Sequence, residues 1–336
     1  FVLPLPVDVK LGDGVEIVTA LSQSHVPDQI DSRRLVTEFC VDREMGSGDE
    51  LTEAGSVTGR HATIMVCPAH AYGVHDRGAK AAAVFLGRSA ECRKRSPPTI
   101  QRLAICRAAR PGTYYDFGGL PDQAAMNTTL FTPGAMHADN AVLSCRPFHP
   151  FLWLALHARA ATMPAGFVSI VSGTCDGEAG FVDSPPTSEE LRFCVFVTLA
   201  GGAKGLIVRG DAAWQTVQAG LAAEFEAVGS ELSAADLVPW ASATGPIAVV
   251  TQLCGDRSIL IFLFSKDVLE PVGQRLIRGR RPSCDPAEVR VYIPAGFDVD
   301  SLSALSRDEA PRWRREGAAL VFPYRLARSA EIIRVG

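Results

Sequence analysis

Hydrophobic positions along this chain take three successive textures. In residues 1–57 the apolar runs Phe1–Leu11, Val15–Leu21 and Leu35–Val41 are parted by Gly, Asp, Ser and Pro turns, which predicts a β-rich N-terminal segment. Gly46–Gly59, with Gly-Ser-Gly-Asp and two further glycines, reads as a linker or long loop. From Ala62 onward short apolar runs recur at Ala62–Val66, Ala81–Leu86, Leu103–Cys106, Gly112–Phe117, Met126–Phe131, Asn140–Ser144, Phe167–Val171 and Gly205–Val208, and each predicts a strand. Helical spacing predicts a helix over Asp211–Leu232, carrying the stripe Trp214, Val217, Leu221, Phe225 and Val228 and closing at Gly229. After Pro239 the texture is β throughout, with Ile247–Leu253, Ser258–Phe264, Val289–Ile293, Leu302–Leu305, Ala319–Pro323 and Glu331–Val335, which predicts an antiparallel β-sandwich over 241–336.

The densest local signal is the stretch from Pro186 to Gly210. Thr187 followed three residues later by Glu190 is a capping box, in which the hydroxyl takes the Glu190 N–H and the carboxylate returns to the Thr187 N–H. Leu191, Cys194, Val195 and Thr198 keep helical spacing, Gly201-Gly202 offers a positive-φ residue, and an apolar strand follows at once. A helix joined so tightly to a buried strand is the repeating unit of a parallel α/β sheet or barrel.

That wording, Pro-Thr-x-Glu-Glu-Leu-Arg, an apolar helix, then Gly-Ala-Lys-Gly and an apolar strand, resembles the last helix and eighth strand of TIM-barrel glycoside hydrolases of the β-galactosidase-like kind and their uncharacterised bacterial relatives. The resemblance implies an α/β fold with a shortened (β/α)8-type barrel over 58–240, preceded by the β-rich segment 1–57 and followed by the sandwich. It implies a carbohydrate bound or cleaved at the C-terminal rim of the barrel. Cleavage needs two carboxylates, one delivering a proton and one acting as base or nucleophile. The relatives carry Asp-Glu-Pro-Asp after the fourth strand, whereas the matching stretch here reads Gly118-Gly119-Leu120-Pro121-Asp122. Leu120, which cannot transfer a proton, thus replaces the expected acid. The remaining candidates are Asp116 and Asp122 beside it and Asp176 and Glu178 after the seventh strand. Tyr114 and Tyr115 are the candidate substrate-binding aromatics, and as neighbours on a strand only one of them could face a barrel mouth. The resemblance also makes Leu152–Ala161 the helix before the seventh strand, and Trp153, inside that apolar helix, is expected in the core.

Composition adds limits. A chain of 336 residues, 47% hydrophobic and 21% charged, can bury a large core plus a smaller second one. A net charge of −4, with only a short interrupted basic run from Arg275 to Arg281, gives no expectation of nucleic acid. No apolar run reaches the roughly 18 residues of a membrane-spanning helix, so no membrane insertion is expected. A leader removed upstream of Phe1 would place the chain in a secreted or periplasmic setting. The nine cysteines are dispersed and odd in number, which argues against a disulfide scaffold, and Cys106, Cys145 and Cys194 read as small buried hydrophobes. His61, Cys67, His70 and His75 lack metal-ligand spacing, Arg209-Gly210-Asp211 suits a strand-to-helix junction, and the glycine-rich 201–205 stretch precedes a strand and offers no helix N-terminus for phosphate. Asn127-Thr128-Thr129 is a glycosylation sequon in a eukaryotic secretory setting, and no Gly-x-Ser-x-Gly elbow is present. Neither a metal nor a cofactor is expected, while a homo-oligomer is. The alternative to a glycosidase-like protein is a non-enzymatic assembly subunit of the surface-layer or capsid kind.

Overall fold

The computed structural model describes residues 10–11, 15–18, 20–21, 36–40, 63–67, 101–106, 114–115, 118–119, 123–126, 148–172, 187–209, 221, 224, 227–229, 231–232, 234–255, 258–266, 269–272, 275–278, 286–307 and 310–336. They form a mixed α/β protein. Its largest sheet holds β1 (Lys10–Leu11), β2 (Val15–Val18), β3 (Ala20–Leu21), β4 (Val36–Cys40), β5 (Thr63–Cys67), β6 (Gln101–Cys106), β7 (Gln123–Met126), β8 (Phe167–Ser172) and β9 (Ala203–Arg209), in the order β1-β2-β9-β8-β7-β6-β5-β4-β3. Every neighbouring pair is parallel except β1 with β2. Strands of the 1–57 segment therefore hydrogen-bond into the same sheet as strands from the middle of the chain. β2 and β3 are parted by Thr19 alone, yet β2 pairs with β9 while β3 pairs with β4. Among the described residues, nine strands, less the antiparallel β1 and with β2 and β3 taken as one segment, leave seven parallel segments.

Parallel neighbours need crossovers, because the chain must return to the same end of the sheet before the next strand starts. Two of these are helices: α1 (Phe148–Thr162) before β8 and α2 (Ser188–Ala200) before β9. The cap of α2 forms as its sequence requires. The Thr187 N–H donates to Glu190 Oε2 at 2.6 Å, and the Glu190 N–H donates to Thr187 Oγ1 at 3.3 Å. Two glycines end the helix for different reasons. Gly201 keeps helical φ, but a Cβ there would stand 2.3 Å from the Ala155 Cβ, so it lets α1 and α2 approach. Gly202 takes φ +101°, the region an L side chain avoids, and turns the chain into β9.

The C-terminal part is antiparallel. β10 (Ala235–Val238), β12 (Ile247–Cys254), β13 (Ser258–Ser265), β20 (Ala330–Val335) and β17 (Leu302–Ala304) form one sheet in that order. β11 (Ala241–Ala243), β16 (Ala287–Tyr292), β19 (Ala319–Tyr324) and β18 (Arg314–Glu316) form a second, and β14 (Leu269–Val272) pairs with β15 (Arg275–Arg278) as a separate hairpin. Alternate residues of both larger sheets share one core: Ile259, Ile261 and Leu263 from β13, Ile333 and Val335 from β20, and Val289, Val291, Leu320 and Phe322 from the facing sheet. The other face of β13 is buried too, since Phe262 lies 6.5 Å from Phe196 and Phe264 lies 5.8 Å from Phe193, both edge-on, on α2. That double burial is why Ser258–Ser265 reads as an unbroken apolar run with no polar alternation.

Helix α2 is thus the layer between the parallel sheet and the first antiparallel sheet, and every residue from Glu190 to Ala200 is buried. Its polar groups are matched one by one. Arg192 donates through Nη2 to both Glu224 oxygens at 2.7 Å and through Nε to the Ala330 carbonyl, with its guanidinium 4.5 Å from the Phe196 ring centre. Gln252 donates to the Leu199 and Ala200 carbonyls and so covers the C-terminal end of α2. Ser329 donates its N–H to Glu189 Oε2 at 2.7 Å and its hydroxyl to the Glu189 carbonyl at 2.6 Å.

Four expectations need correction. Tyr114 and Tyr115 are helical, not extended, and the Gly118 N–H returns to the Tyr114 carbonyl at 2.7 Å; the β-prone side chains suggested a strand where a crossover between β6 and β7 is required. β7 starts three residues before the predicted Met126, because burial between neighbouring strands places Gln-Ala-Ala-Met there despite its low β propensity. Gly229 does not end its helix: Gly229, Glu231, Leu232 and Ala234 are all helical, and the Lys204 ammonium donates to the Leu232 carbonyl and to that of Ala235, where β10 begins. Trp153 is 40% exposed, because the buried stripe of α1 runs through Phe151, Leu154, Ala155, Ala158 and Thr162 and Trp153 lies off it. The predicted strands at Ala81–Leu86 and Asn140–Ser144 lie outside the described residues.

Candidate functional site

Parallel pairing brings the carboxyl ends of β4 to β9 to one side of the sheet, ending in Cys40, Cys67, Cys106, Met126, Ser172 and Arg209. In parallel α/β folds ligands bind at that side, where the loops leaving the strands converge. The acids Asp116, Asp122, Asp176 and Glu178, and Leu120 with them, lie outside the described residues. In sequence, Asp176 and Glu178 follow Ser172, the last residue of β8, by four and six positions, whereas Asp122 directly precedes the first residue of β7.

The two tyrosines are described, and they separate. Tyr114 is fully buried and belongs to the core. Tyr115 is 53% exposed and its hydroxyl meets His157 Nδ1 at 3.0 Å. His157 in turn packs edge-on to Trp153, ring centres 4.4 Å apart, one helical turn earlier on α1. Tyr115, His157 and Trp153 therefore form one aromatic cluster spanning two neighbouring crossovers, on the exposed face of α1. The sequence reading missed His157; its position four residues after Trp153 on a predicted helix was the available signal. Such a cluster offers a partly apolar surface with a half-exposed indole, and it holds no carboxylate.

The ionisable groups inside the molecule have structural partners. Burial pushes the Glu224 carboxyl up and the Arg192 guanidinium beside it pulls it back. Burial lowers the Lys204 ammonium, aided by the charge of Arg159. Burial pushes the Cys254 thiol up to about 11 and the Cys194 thiol well above its ordinary range, so neither is a ready nucleophile. Glu331, buried, accepts from Arg307 at 2.9 Å, from the Tyr324 hydroxyl and from the backbone N–H groups of Ala327 and Arg328, which fixes the turn before β20. Among the described side chains no three His, Cys, Asp or Glu come together as a metal site, and no described helix is long and apolar enough to cross a membrane.

Comparison with known proteins adds a likeness of fold. No family model matches the chain, and no curated protein matches it. Solved structures of glycoside hydrolases do. A Bacteroides fragilis protein assigned as an alpha-galactosidase aligns over 90% of this chain and 62% of its own length, with 9% identity and a TM-score of 0.54. A second from the same species, assigned as an alpha-galactosidase/melibiase, aligns over 90% and 62% with 10% identity and a TM-score of 0.52. A β-L-arabinopyranosidase of Geobacillus stearothermophilus aligns over 86% and 60% with 11% identity and a TM-score of 0.50. The link to these TIM-barrel glycosidases is distant and one of fold. The chain spans less than two thirds of the length of these structures.

Proposed function

We propose that the parallel sheet closes into a shortened barrel, that residues 241–336 form the β-sandwich domain beside it, and that the protein binds or hydrolyses a carbohydrate at the carboxyl ends of the parallel strands. The single observation that carries this reading is the placement of β2 and β3. One short stretch of chain pairs with β9 on one side and with β4 on the other, as a strand does when it joins the two ends of a ring. β9 supports it, being parallel to both of its neighbours, with Gly205 in register with Glu16 of β2 and with Val168 of β8. The likeness to glycoside hydrolase structures agrees with such a ring.

Of the proposed acids, Asp176 and Glu178 are favoured, because in sequence they follow the carboxyl end of a parallel strand by four and six residues. Asp122 enters a strand at its amino end, and Leu120 leaves no acid at the position the resemblance assigns to one. Tyr115 is the aromatic candidate for sugar contact, since Tyr114 is packed in the core. The test is a panel of chromogenic glycosides with the wild type, Asp176→Asn and Glu178→Gln, together with a glycan-binding assay. Turnover that Glu178→Gln lowers by about a hundredfold or more, as removal of a general acid or base does, supports a hydrolase. Absence of turnover with retained glycan binding supports a binding protein on the same fold. Neither turnover nor binding overturns the carbohydrate reading.

A further inference from the structure

The turn between β19 and β20 is held rigidly, and it lies level with the carboxyl ends of the parallel strands. β8 and β9 are parallel, so α2 must run back across the sheet between them, and its first turn stands at the side where both strands end. The lengths agree, since the 13 residues of α2 rise about 20 Å and the 7 residues of β9 about 23 Å. On that first turn Ser329 donates its N–H and its hydroxyl to Glu189, and Arg192 donates to the Ala330 carbonyl. Inside the β19–β20 turn, the Ala327 and Arg328 N–H groups donate to Glu331, Arg307 donates to Glu331 and to the Arg325 carbonyl, and Leu326 is buried. The exposed residues between Tyr324 and Ser329 are Arg325, Ala327 and Arg328. Among the described residues no carboxylate pairs with Arg325 or Arg328, although the charge of Arg328 opposes, with that of Arg192, the rise that burial imposes on the Glu224 carboxyl.

We propose, resting on the carbohydrate reading, that this turn borders the sugar site at the carboxyl ends of β8 and β9, and that Arg325 and Arg328 select glycans bearing carboxylates, the uronic acids. A guanidinium is planar, always charged and able to donate two parallel N–H bonds to one carboxylate, a match that a neutral hydroxymethyl group lacks. The anchors at Ser329 and Glu331 fix the backbone under both arginines before a ligand arrives, so that binding has only their side chains left to order.

The test measures binding of the full chain, by titration calorimetry, to a panel of uronic-acid oligosaccharides, to the methyl esters of the same oligosaccharides, which keep the sugar and lose the charge, and to neutral glycans. At least one uronic acid is expected to bind about tenfold or more tightly than its ester, because hydrogen bonds to a charged group are individually strong. Added salt should shrink that preference. Arg325→Gln and Arg328→Gln should each weaken binding of the acid about tenfold and that of the ester by much less, with an unchanged unfolding midpoint as the check of folding. Should Arg328→Gln fail to fold, Arg325→Gln and the salt dependence decide. Binding of neutral glycans alone, equal binding of acid and ester, or a preference that survives both substitutions together overturns the inference and leaves the carbohydrate reading intact. Binding of no glycan at all overturns both.

Discussion

Helices α1 and α2 are successive crossovers of one parallel sheet, yet they meet opposite surroundings. α2 is covered on both sides and is apolar around its whole circumference, with its one buried arginine matched to Glu224 and to the Ala330 carbonyl. α1 buries only the stripe from Phe151 to Thr162 and leaves Trp153, Leu156 and the Tyr115–His157 pair at the surface. The difference lies in what docks on the second side. Among the described residues, the antiparallel sheet of β13 and β20 seats on α2 through Phe262, Phe264, Ala330 and the adjoining Ser329, and meets α1 through Asp236 of β10, which pairs with Arg159. A helix covered twice carries stability; a helix covered once has a face free for other work.

The contrast can be broken most forcefully at Arg192. Arg192→Ala strands the Glu224 carboxylate among buried groups, and a loss of about 3–5 kcal/mol is expected in denaturant unfolding, with much of it recovered in Arg192→Leu combined with Glu224→Leu. Phe193→Ala, which empties the space against Phe151 and Phe264, should cost a similar amount, about 3–5 kcal/mol. Thr187→Ala removes the cap of α2 and is expected to cost about 1 kcal/mol by the same measurement. At Cys254 the effect is one of pH. The folded protein keeps until about 11 a thiol proton that the unfolded chain sheds near 9.0. Over that window the folded state binds more protons, so stability falls as pH rises from about 9 to about 11, and the wild type should lose more across it than Cys254→Ala does. On the exposed side, Trp153→Ala should change stability by no more than about 0.5 kcal/mol; a loss comparable to that of Phe193→Ala would mean that α1 is covered as α2 is.

Much of this contrast was written locally. The capping box of α2, its run into β9 and the apolar run of β13 are readable because short-range chemistry and long-range packing agree there. Among the antiparallel C-terminal strands, β12 with β13 and β14 with β15 pair through nearby turns, whereas β13 with β20 and β16 with β19 join distant segments and were legible as strands but not as partners. What escaped depended on topology. Tyr114 and Tyr115 look like strand residues, and only the need for a crossover makes them helical. The pairing of Arg192 with Glu224 joins positions 32 apart and has no signature in the order of residues. Trp153 was assigned to the core on its hydrophobicity, whereas its place off the buried stripe of α1 decides its exposure. The tyrosine, histidine and tryptophan cluster was only partly visible, because Tyr115 comes from a different crossover. The acids proposed for the rim are legible in sequence alone, by their positions beside β7 and after β8.

The central proposal is that β9 lies inside a ring of parallel strands closed through β2 and β3. Isotope-edited backbone NOEs on the intact chain test it most directly. The account predicts two sets present together, parallel contacts linking Glu16, Ile17 and Val18 to Gly205, Leu206 and Ile207, and parallel contacts linking Ala20 and Leu21 to Val36 and Thr37. Antiparallel contacts along β9, or either set seen without the other, would contradict it.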